Sequence, residues 1–392
     1  MSQDDPDVSL GFVAQPENVE HLKSKYFPSK MGGKPAWLSP LELPSTKDLT
    51  CPICKKPFVF LLQAYAPLED QEECFHRTVF VFICRNGECY SDRSNRPFAV
   101  LRSQLPRKNN FYSFEPCKLD AGSKGEATFE ELVSADDSQR TPLCTLCGCT
   151  GRLWCSRCRG PRYCGKDHQV MHWKHGHKAE CQPAPKDSDA KAPLTTAKWS
   201  RVMAADAAKS ILLPEMELVI ESEVELEIED EGIGAGSDSD GDEGESEEQQ
   251  LKDFKTYVQS SGGKSGALDG EVSNEELQAA AADGIGVTDA CFKAFKRKIA
   301  IAPEQVLRHN RDGEPLWLSA KHQAADSDVP DCACGAKRTF EFQILPQLLA
   351  HLHLDTLAGP SVDWATLAIY TCSQSCTLGN PYKSEFVWKQ DF

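Results

Sequence analysis

At 392 residues the chain is long for one compact domain and fits two or three domains with linkers. Its 40% hydrophobic and 26% charged residues describe a globular, somewhat polar protein. No apolar run reaches the roughly 18 residues that would predict a membrane-spanning helix. The opening Met1-Ser2-Gln3-Asp4-Asp5 is acidic and polar, unlike a secretory or transit leader, so an intracellular chain is expected.

Charge is unevenly placed. Lys plus Arg number 43 and Asp plus Glu 59, a formal net charge of −16. Sixteen of those carboxylates lie between Glu215 and Glu248, where there is no Lys or Arg, so the rest of the chain balances at 43 of each sign. The acidity is one local block. Such a block repels nucleic-acid backbones and attracts basic proteins.

Eighteen cysteines in a chain without a secretory leader argue for metal ligation rather than a disulfide scaffold. Twelve fall into six local pairs, and Cys164 and Cys181 each have a histidine four residues away. Cys74, Cys117, Cys149 and Cys291 remain outside these groups.

In chain order, residues 1–8 are expected to be disordered. Gly and Pro punctuate the stretch from Phe27 to Leu38. The short apolar runs Phe58–Leu62 and Thr78–Ile83, rich in β-branched and aromatic residues, predict buried strands. Residues 118–140 and 183–196 are polar linkers on either side of a compact Cys/His block. From Leu212 to Ile228 apolar residues partly alternate with Glu. Val219 or Ile220, Val224, Leu226 and Ile228 predict a strand whose acidic side faces water. Residues 231–249 are low-complexity Gly/Ser/Asp/Glu, unable to bury enough surface to order. Ser273 followed by Glu276 resembles a helix start. Phe292, Phe295 and Ile299 share one face of an amphipathic helix with Lys293, Lys296 and Lys298 around the rest, a core-facing stripe. From Gln305 to Phe392 short strands and turns return.

The two ends of the chain echo each other. Gly33-Lys34-Pro35-Ala36-Trp37-Leu38-Ser39 and Gly313-Glu314-Pro315-Leu316-Trp317-Leu318-Ser319 share G-x-P-x-W-L-S. In each copy a close cysteine pair follows, then an apolar strand, then a second strand running into two more cysteines. The four landmarks keep their order, which argues for two related β modules.

Cysteine spacing defines the candidate metal sites. In the central block the pairs are Cys144-x2-Cys147, Cys155-x2-Cys158, Cys164-x3-His168 and His177-x3-Cys181. Zinc takes four N/S ligands in a tetrahedron, and such spacings let two ligands reach one ion from a tight turn or a single helical turn. About 40 residues cannot build a sufficient core alone, so metal must supply folding energy, on the order of 10 kcal/mol per site. Cys51, Cys54, Cys84 and Cys89 look like a further structural zinc site of four thiolates, and Cys332, Cys334, Cys372 and Cys376 like its counterpart. For these outer groups the alternative is buried free thiols. A thioredoxin-like reading of Cys51-Pro52-Ile53-Cys54 fails because no βαβ pattern surrounds it.

No catalytic signature is found. Gly262-Gly263-Lys264-Ser265 ends like a phosphate-binding loop, but Val258 stands where its first glycine belongs. No G-x-S-x-G, H-E-x-x-H or kinase set occurs, and zinc sites with four protein ligands are closed to substrate. A non-enzymatic protein is expected.

The central block resembles a MYND-type zinc finger. Its four pairs carry the likeness, with Tyr163-Cys164, Gln169, His172-Trp173 and His177-Lys178-x-x-Cys181. His168 stands where the family usually has cysteine. The cross-braced family pairing implies one ion on Cys144, Cys147, Cys164 and His168, and another on Cys155, Cys158, His177 and Cys181. His172, His175 and Cys149 are then supporting or surface groups. The resemblance implies a module for Pro-containing peptides, such as those of nuclear corepressors, and not a DNA reader. Lysine methyltransferases also carry such fingers, but the Asn-His-Cys-type motif of their catalytic domain is absent.

The outer modules resemble the programmed cell death protein 2 family. The carrying residues are Leu10-Gly11-Phe12, Phe27-Pro28-Ser29-Lys30, Pro35-Ala36-Trp37-Leu38, Cys51-Pro52-Ile53-Cys54, Leu62 to Pro67 and Phe75-His76-Arg77-Thr78. Towards the end they are Pro303, Gln305-Val306-Leu307-Arg308, Cys332-Ala333-Cys334-Gly335, Phe340-Glu341-Phe342-Gln343 and Phe386 to Asp391. This resemblance implies a chaperone for a basic small-subunit ribosomal protein of the S-five family, supporting small-subunit biogenesis in cytoplasm and nucleus. It also implies links to proliferation and apoptosis. The alternative is a corepressor adaptor working through the finger.

The expected architecture is mainly β with a little helix. A zinc-stapled module spans 9–117, the finger 144–181, a strand-bearing segment 197–228, an acidic disordered insert 231–272, and a second zinc-stapled module 287–392. The expected state is a monomer that binds neither DNA nor membrane.

Overall fold

The computed structural model describes residues 8–115, 140–183, 211–224, 290–354, 360–377 and 379–391. The two linkers lie almost wholly outside these residues. So do the acidic insert, the Ser273 helix start, Leu226 and Ile228.

The protein is mainly β, as its composition and apolar runs imply. The first half contributes β1 (Ser9–Ala14), β2 (Lys30–Met31), β3 (Val59–Tyr65), β4 (His76–Ile83) and β5 (Phe98–Leu105). The finger holds β6 (Leu153–Trp154), β7 (Arg162–Tyr163), α1 (Lys166–His172) and α2 (Lys178–Glu180). Then follow β8 (Met216–Ser222), α3 (Ala290–Ile301), β9 (Leu307–His309), β10 (Arg338–Ile344), α4 (Gln347–Leu352), β11 (Thr366–Cys372) and β12 (Tyr382–Gln390). The two β modules are halves of one closed barrel, in the order β1-β8-β2-β3-β4-β5-β12-β11-β10-β9, with β9 returning to β1. Closure removes the unpaired strand edges that invite aggregation.

The halves repeat each other in detail. Both β3 and β10 carry a bulge at the same place, between Phe60 and Leu62 and between Phe340 and Phe342. Shortly after each bulge, Gln63 and Gln343 turn their side-chain amides to the repeated loop. The Gln63 amide accepts from the Ala36 N–H and donates to the Ala36 carbonyl. Gln343 brackets Leu316 in the same way. The glutamines pair with a buried cation in the neighbouring strand, Lys30 of β2 and Arg308 of β9. Each cation meets a carboxylate flanking β8: Lys30 bonds Glu215, and Arg308 bonds Glu223 at 2.8 Å. At the far seam, β5 and β12 pair antiparallel, Val100 opposite Glu385, as a two-fold relation between the halves requires.

β8 corrects the sequence reading. A strand forms, but its buried residue is Leu218, with Glu223 buried just beyond its end, whereas Val219, Ile220 and the following Val224 are exposed. Pairing with β1 and β2 in a barrel wall sets which face turns inward, and the Arg308 guanidinium holds Glu223 out of water. Gly32 permits the approach of this segment: its φ is +62°, and a Cβ there would lie 1.8 Å from the Pro214 carbonyl oxygen.

Alternation along β12 identifies the inner face. Ser384 is exposed and Phe386 and Trp388 are half-buried or at the margin, while Glu385, Val387 and Lys389 are buried. Apolar residues from both halves fill the interior, among them Val79, Val81, Phe342, Ile344, Leu367 and Ile369. At one end sit ion pairs that cross between the halves. Arg77 of β4 bonds both oxygens of Glu341 of β10 at 2.6 and 2.7 Å, and both side chains are 0% exposed. Arg102 of β5 bonds Glu385 of β12 at 2.7 Å, again with no exposure. Arg311 also reaches Glu341, and Arg338 reaches Glu385. The Arg77 and Arg311 guanidiniums, with a hydrogen bond from His309, outweigh its burial and hold the Glu341 carboxyl well below the ordinary carboxylate range.

The expected amphipathic helix is α3. Phe295 and Ile299 pack on Leu318, Leu345 and Ala365, with Phe292 at the margin. The finger, by contrast, is not a free insertion between linkers. Trp37 donates its indole N–H to the Gly148 carbonyl at 2.8 Å, Lys34 reaches the Thr145 carbonyl, and Thr150 donates to the Pro44 carbonyl. The first copy of G-x-P-x-W-L-S is therefore the platform on which the finger rests. Trp37 is 6% exposed beneath it.

Candidate metal centres

The described residues bring the sixteen sequence-predicted ligands into four groups: Cys51/Cys54/Cys84/Cys89, Cys144/Cys147/Cys164/His168, Cys155/Cys158/His177/Cys181 and Cys332/Cys334/Cys372/Cys376. Within each group the ligand atoms lie within 4.8 Å of one another. In the finger the first pair is grouped with the third and the second with the fourth, the cross-brace that the resemblance implied.

Local backbone explains how each close pair forms. After each pair the chain turns back through a left-handed residue: Lys55 (φ 61°), Gly148 (72°), Arg159 (57°) and Gly335 (88°). Its N–H returns to the carbonyl of the first cysteine, at 3.0, 2.9, 2.8 and 2.8 Å respectively. Gly335 lets the shorter Cys332-x-Cys334 spacing make the same turn. The second half of each site comes from elsewhere: a strand end and loop for Cys84/Cys89 and Cys372/Cys376, and α1 with the turn at Gly176 (φ 141°) for the finger histidines.

The donor geometry fits tetrahedral zinc. Sulfurs about 2.3 Å from a central ion stand about 3.8 Å apart, and a sulfur–nitrogen edge is about 3.6 Å. The observed S···S separations are 3.9 Å (Cys51–Cys89), 3.5 Å (Cys54–Cys84), 3.7 Å (Cys147–Cys164), 3.7 Å (Cys155–Cys181), 3.6 Å (Cys332–Cys376) and 3.6 Å (Cys334–Cys372). His168 faces its site through Nδ1, 3.6 Å from Cys144 Sγ and 3.0 Å from Cys164 Sγ, the latter edge shorter than the tetrahedral value. His177 uses Nε2, 3.6 Å from Cys158 Sγ. Backbone N–H groups donate to Cys84 and Cys158 sulfurs at 3.4 and 3.5 Å, which favours the thiolate that metal requires. Cys54 and Cys334 occupy the same place in the two halves, and both thiols are brought down to about 7. For Cys54 burial opposes the shift, and the Lys56 N–H and neighbouring sulfurs outweigh it. For Cys334 the Ala336 N–H is the main cause. Each group offers four protein ligands, the full set that a structural zinc ion takes.

Supporting residues are placed as well. His172 is 4% exposed, bonds Tyr163 Oη at 3.0 Å and stacks on the His177 ring at 5.1 Å. It orients a ligand from the second layer. His175 is exposed, and Cys149 is buried with its thiol on the Cys147 carbonyl.

The outer centres also bind the halves to each other, which spacing did not reveal. Arg102 of the first half reaches the Cys376 carbonyl at 3.2 Å, while Lys389 of the second reaches the Tyr90 carbonyl, next to Cys89, at 3.3 Å. Each half thus extends a buried cation to the other's cysteine loop.

Comparisons with known proteins agree with this architecture. The family model of the programmed cell death protein 2 N-terminal domain matches residues 7–119, that of its C-terminal putative domain residues 289–391, and that of the MYND finger residues 144–181. Programmed cell death protein 2 of Rattus norvegicus is 41% identical over 384 residues, covering 98% of this chain and 96% of its own. Programmed cell death protein 2-like of Gallus gallus is 26% identical, covering 93% and 89%. The probable 20S rRNA accumulation protein 4 of Schizosaccharomyces pombe is 24% identical, covering 94% and 92%. No solved structure matches. With its cysteine sites and finger inside the matched domains and 41% identity to the rat protein over nearly the whole chain, the chain belongs to the programmed cell death protein 2 family.

Proposed function

We propose that this protein is a non-enzymatic chaperone or adaptor for a basic small-subunit ribosomal protein of the S-five family, acting in cytoplasm and nucleus in support of small-subunit biogenesis. The supporting observation is the fission-yeast relative named for 20S rRNA accumulation, whose alignment covers 94% of this chain. The charge distribution supplies a mechanism. Twelve carboxylates from Glu225 to Glu248, with no Lys or Arg among them, follow β8 of the barrel wall in the chain and form a tethered polyanion. It raises the encounter rate with a Lys/Arg-rich client and competes with RNA for that client before assembly. Four zinc ions, one in each cysteine group, hold the scaffold in its binding form. Titration of the free ribosomal protein at low and high ionic strength tests this reading. A saturable, salt-sensitive complex supports it, and absence of binding at low salt contradicts it.

A second reading, a corepressor adaptor, rests on the finger's surface. Leu153 and Trp154 on β6 are 44% and 51% exposed, and the Arg162 guanidinium lies 4.9 Å from the Trp154 ring centre. β6 belongs to a sheet of two strands, so an extended Pro-containing peptide can lie along it. Chromatin co-purification that depends only on residues 144–181 would favour this reading.

A further inference from the structure

Away from the metal centres, the first half carries an aromatic cavity of about 240 Å³. Its floor is Phe27, whose ring stacks on His76 at 4.0 Å and meets Tyr112 edge-on at 4.7 Å. Tyr65 Oη bonds His76 Nδ1 at 3.2 Å. Phe114, 55% exposed, forms an outer wall, and Arg107 lies over its ring at 4.1 Å. Lys25 also lines the cavity, with Glu115 the acidic group among the lining residues. The volume is below the roughly 300–1,000 Å³ of small-molecule sites, so it suits one or two side chains rather than a cofactor.

The two-fold relation between the halves indicates what shape of ligand this seat takes. Gln63 and Gln343 are equivalent by their bonds to the repeated loops. Two residues later, Tyr65 and Leu345 occupy the same place, as do Leu38 and Leu318 within the loops. In the second half, Leu345 and Leu318 are covered by Phe295 and Ile299 of α3. In the first half the chain between β1 and β2 makes two short 3-10 turns, Val19–Leu22 and Ser24–Tyr26. Among the described residues no α-helix stands there; Leu38 is 1% exposed beneath other groups, and half-buried Tyr65 opens on the aromatic cavity. Tyr112 extends it, donating to the Leu38 carbonyl at 2.6 Å.

We infer that this cavity docks a short amphipathic helix of a partner protein, with an aromatic stripe like that of α3 but acidic flanks in place of its basic ones. The stripe fills the space between Phe27, Tyr65 and Phe114, and the flanking carboxylates meet Lys25 and Arg107. Anchors at i, i+3 and i+4 into a groove are how amphipathic helices are recognised. Charge at the rim then selects acidic over basic sequences.

The test uses the full-length, zinc-loaded protein and a fluorescein-labelled peptide. The probe is the α3 sequence, residues 290–301, with Lys293→Glu, Lys296→Glu, Arg297→Glu, Lys298→Glu and Cys291→Ala, closed by a hydrocarbon staple between positions 290 and 294, opposite the aromatic stripe, so that it is helical before binding. Saturable binding is expected in an anisotropy titration. Arg107→Glu and Phe114→Ala, both at exposed positions, should each weaken it by about tenfold or more. The unmodified basic sequence should bind the wild type less well and gain on Arg107→Glu. Trp154→Ala, on the finger, should leave the affinity unchanged. The inference is overturned by absence of saturable binding, by equal affinity for Arg107→Glu, or by loss of binding with Trp154→Ala. Client binding is read separately in the same preparations, so failure here is distinct from failure of the chaperone reading.

Discussion

Replacing Glu341 by Gln asks how strongly the two halves depend on their shared interior. In the wild type Arg77 spends its guanidinium on Glu341, the Ala66 carbonyl and Thr371 Oγ1, with no exposed surface. The substitution keeps shape but removes the charge facing Arg77 and Arg311. Breaking a buried ion pair on one side costs about 3–5 kcal/mol, because a desolvated cation is left behind. At about 2–4 °C per kcal/mol for a body of this size, the melting temperature should fall by about 6–20 °C. Urea unfolding followed by tryptophan emission, in the presence of zinc, reads the change. Trp37 in one half and Trp364 in the other should report one coincident transition. The double replacement Arg77→Met with Glu341→Leu should recover most of the loss, since a well-packed apolar pair can replace a buried ion pair at little cost. The pH dependence has a definite sign. The Glu341 carboxyl is depressed in the folded state. Its contribution is therefore present above the unfolded value of about 4.3 and is lost as pH falls below it. The gap between wild type and Glu341→Gln should be level from about pH 8 to 5 and narrow only in more acid solution. A loss under about 1 kcal/mol, the range of exposed pairs, or separate transitions for the two tryptophans, would refute the reasoning.

Elemental analysis of metal-intact protein should find close to four zinc ions per chain; a value near two would leave the outer cysteine groups as thiols without metal. Gly148→Val should loosen the finger from the barrel, because Gly148 has φ +72° and a Cβ there would sit 2.9 Å from Lys34 Cβ. The left-handed backbone alone costs about 1–2 kcal/mol, and faster hydrogen exchange at Trp37 and Leu38 is the readout. Neutralising the acidic residues from Glu229 to Glu248 should slow association with the basic client and flatten its salt dependence without lowering the melting temperature. Identical binding at both ionic strengths would make the block a passive solubility segment.

Much of the metal chemistry is legible in the sequence because close-spaced cysteine and histidine pairs are the pattern of zinc ligands. The repeat is legible for a similar reason: G-x-P-x-W-L-S is held in a loop whose conformation and glutamine partner admit little variation. What escapes is everything decided by distant pairing. β8 exposes Val219 and Ile220 and buries Leu218 because its neighbours are β1 and β2, far away in sequence, and alternation alone cannot choose the face. Arg77, Arg102, Glu341 and Glu385 read as ordinary strand polarity until closure turns them inward. β1, β5 and α4 leave little trace in the sequence: Ser9–Ala14 lacks clear alternation, and Gln347–Leu352 is too short to show a helical period. The polar linkers around the finger suggest independence. Its seat on Trp37 depends on one indole N–H and one glycine carbonyl that no composition reveals.

Affinity purification of the full-length chain, with mass spectrometry of what accompanies it, tests the chaperone reading most directly. The expected result is one basic small-subunit ribosomal protein recovered in near-stoichiometric amount without the remaining subunit proteins, and reduced by high salt. Recovery of intact small subunits alone, or of chromatin corepressors whose presence depends only on residues 144–181, would contradict it.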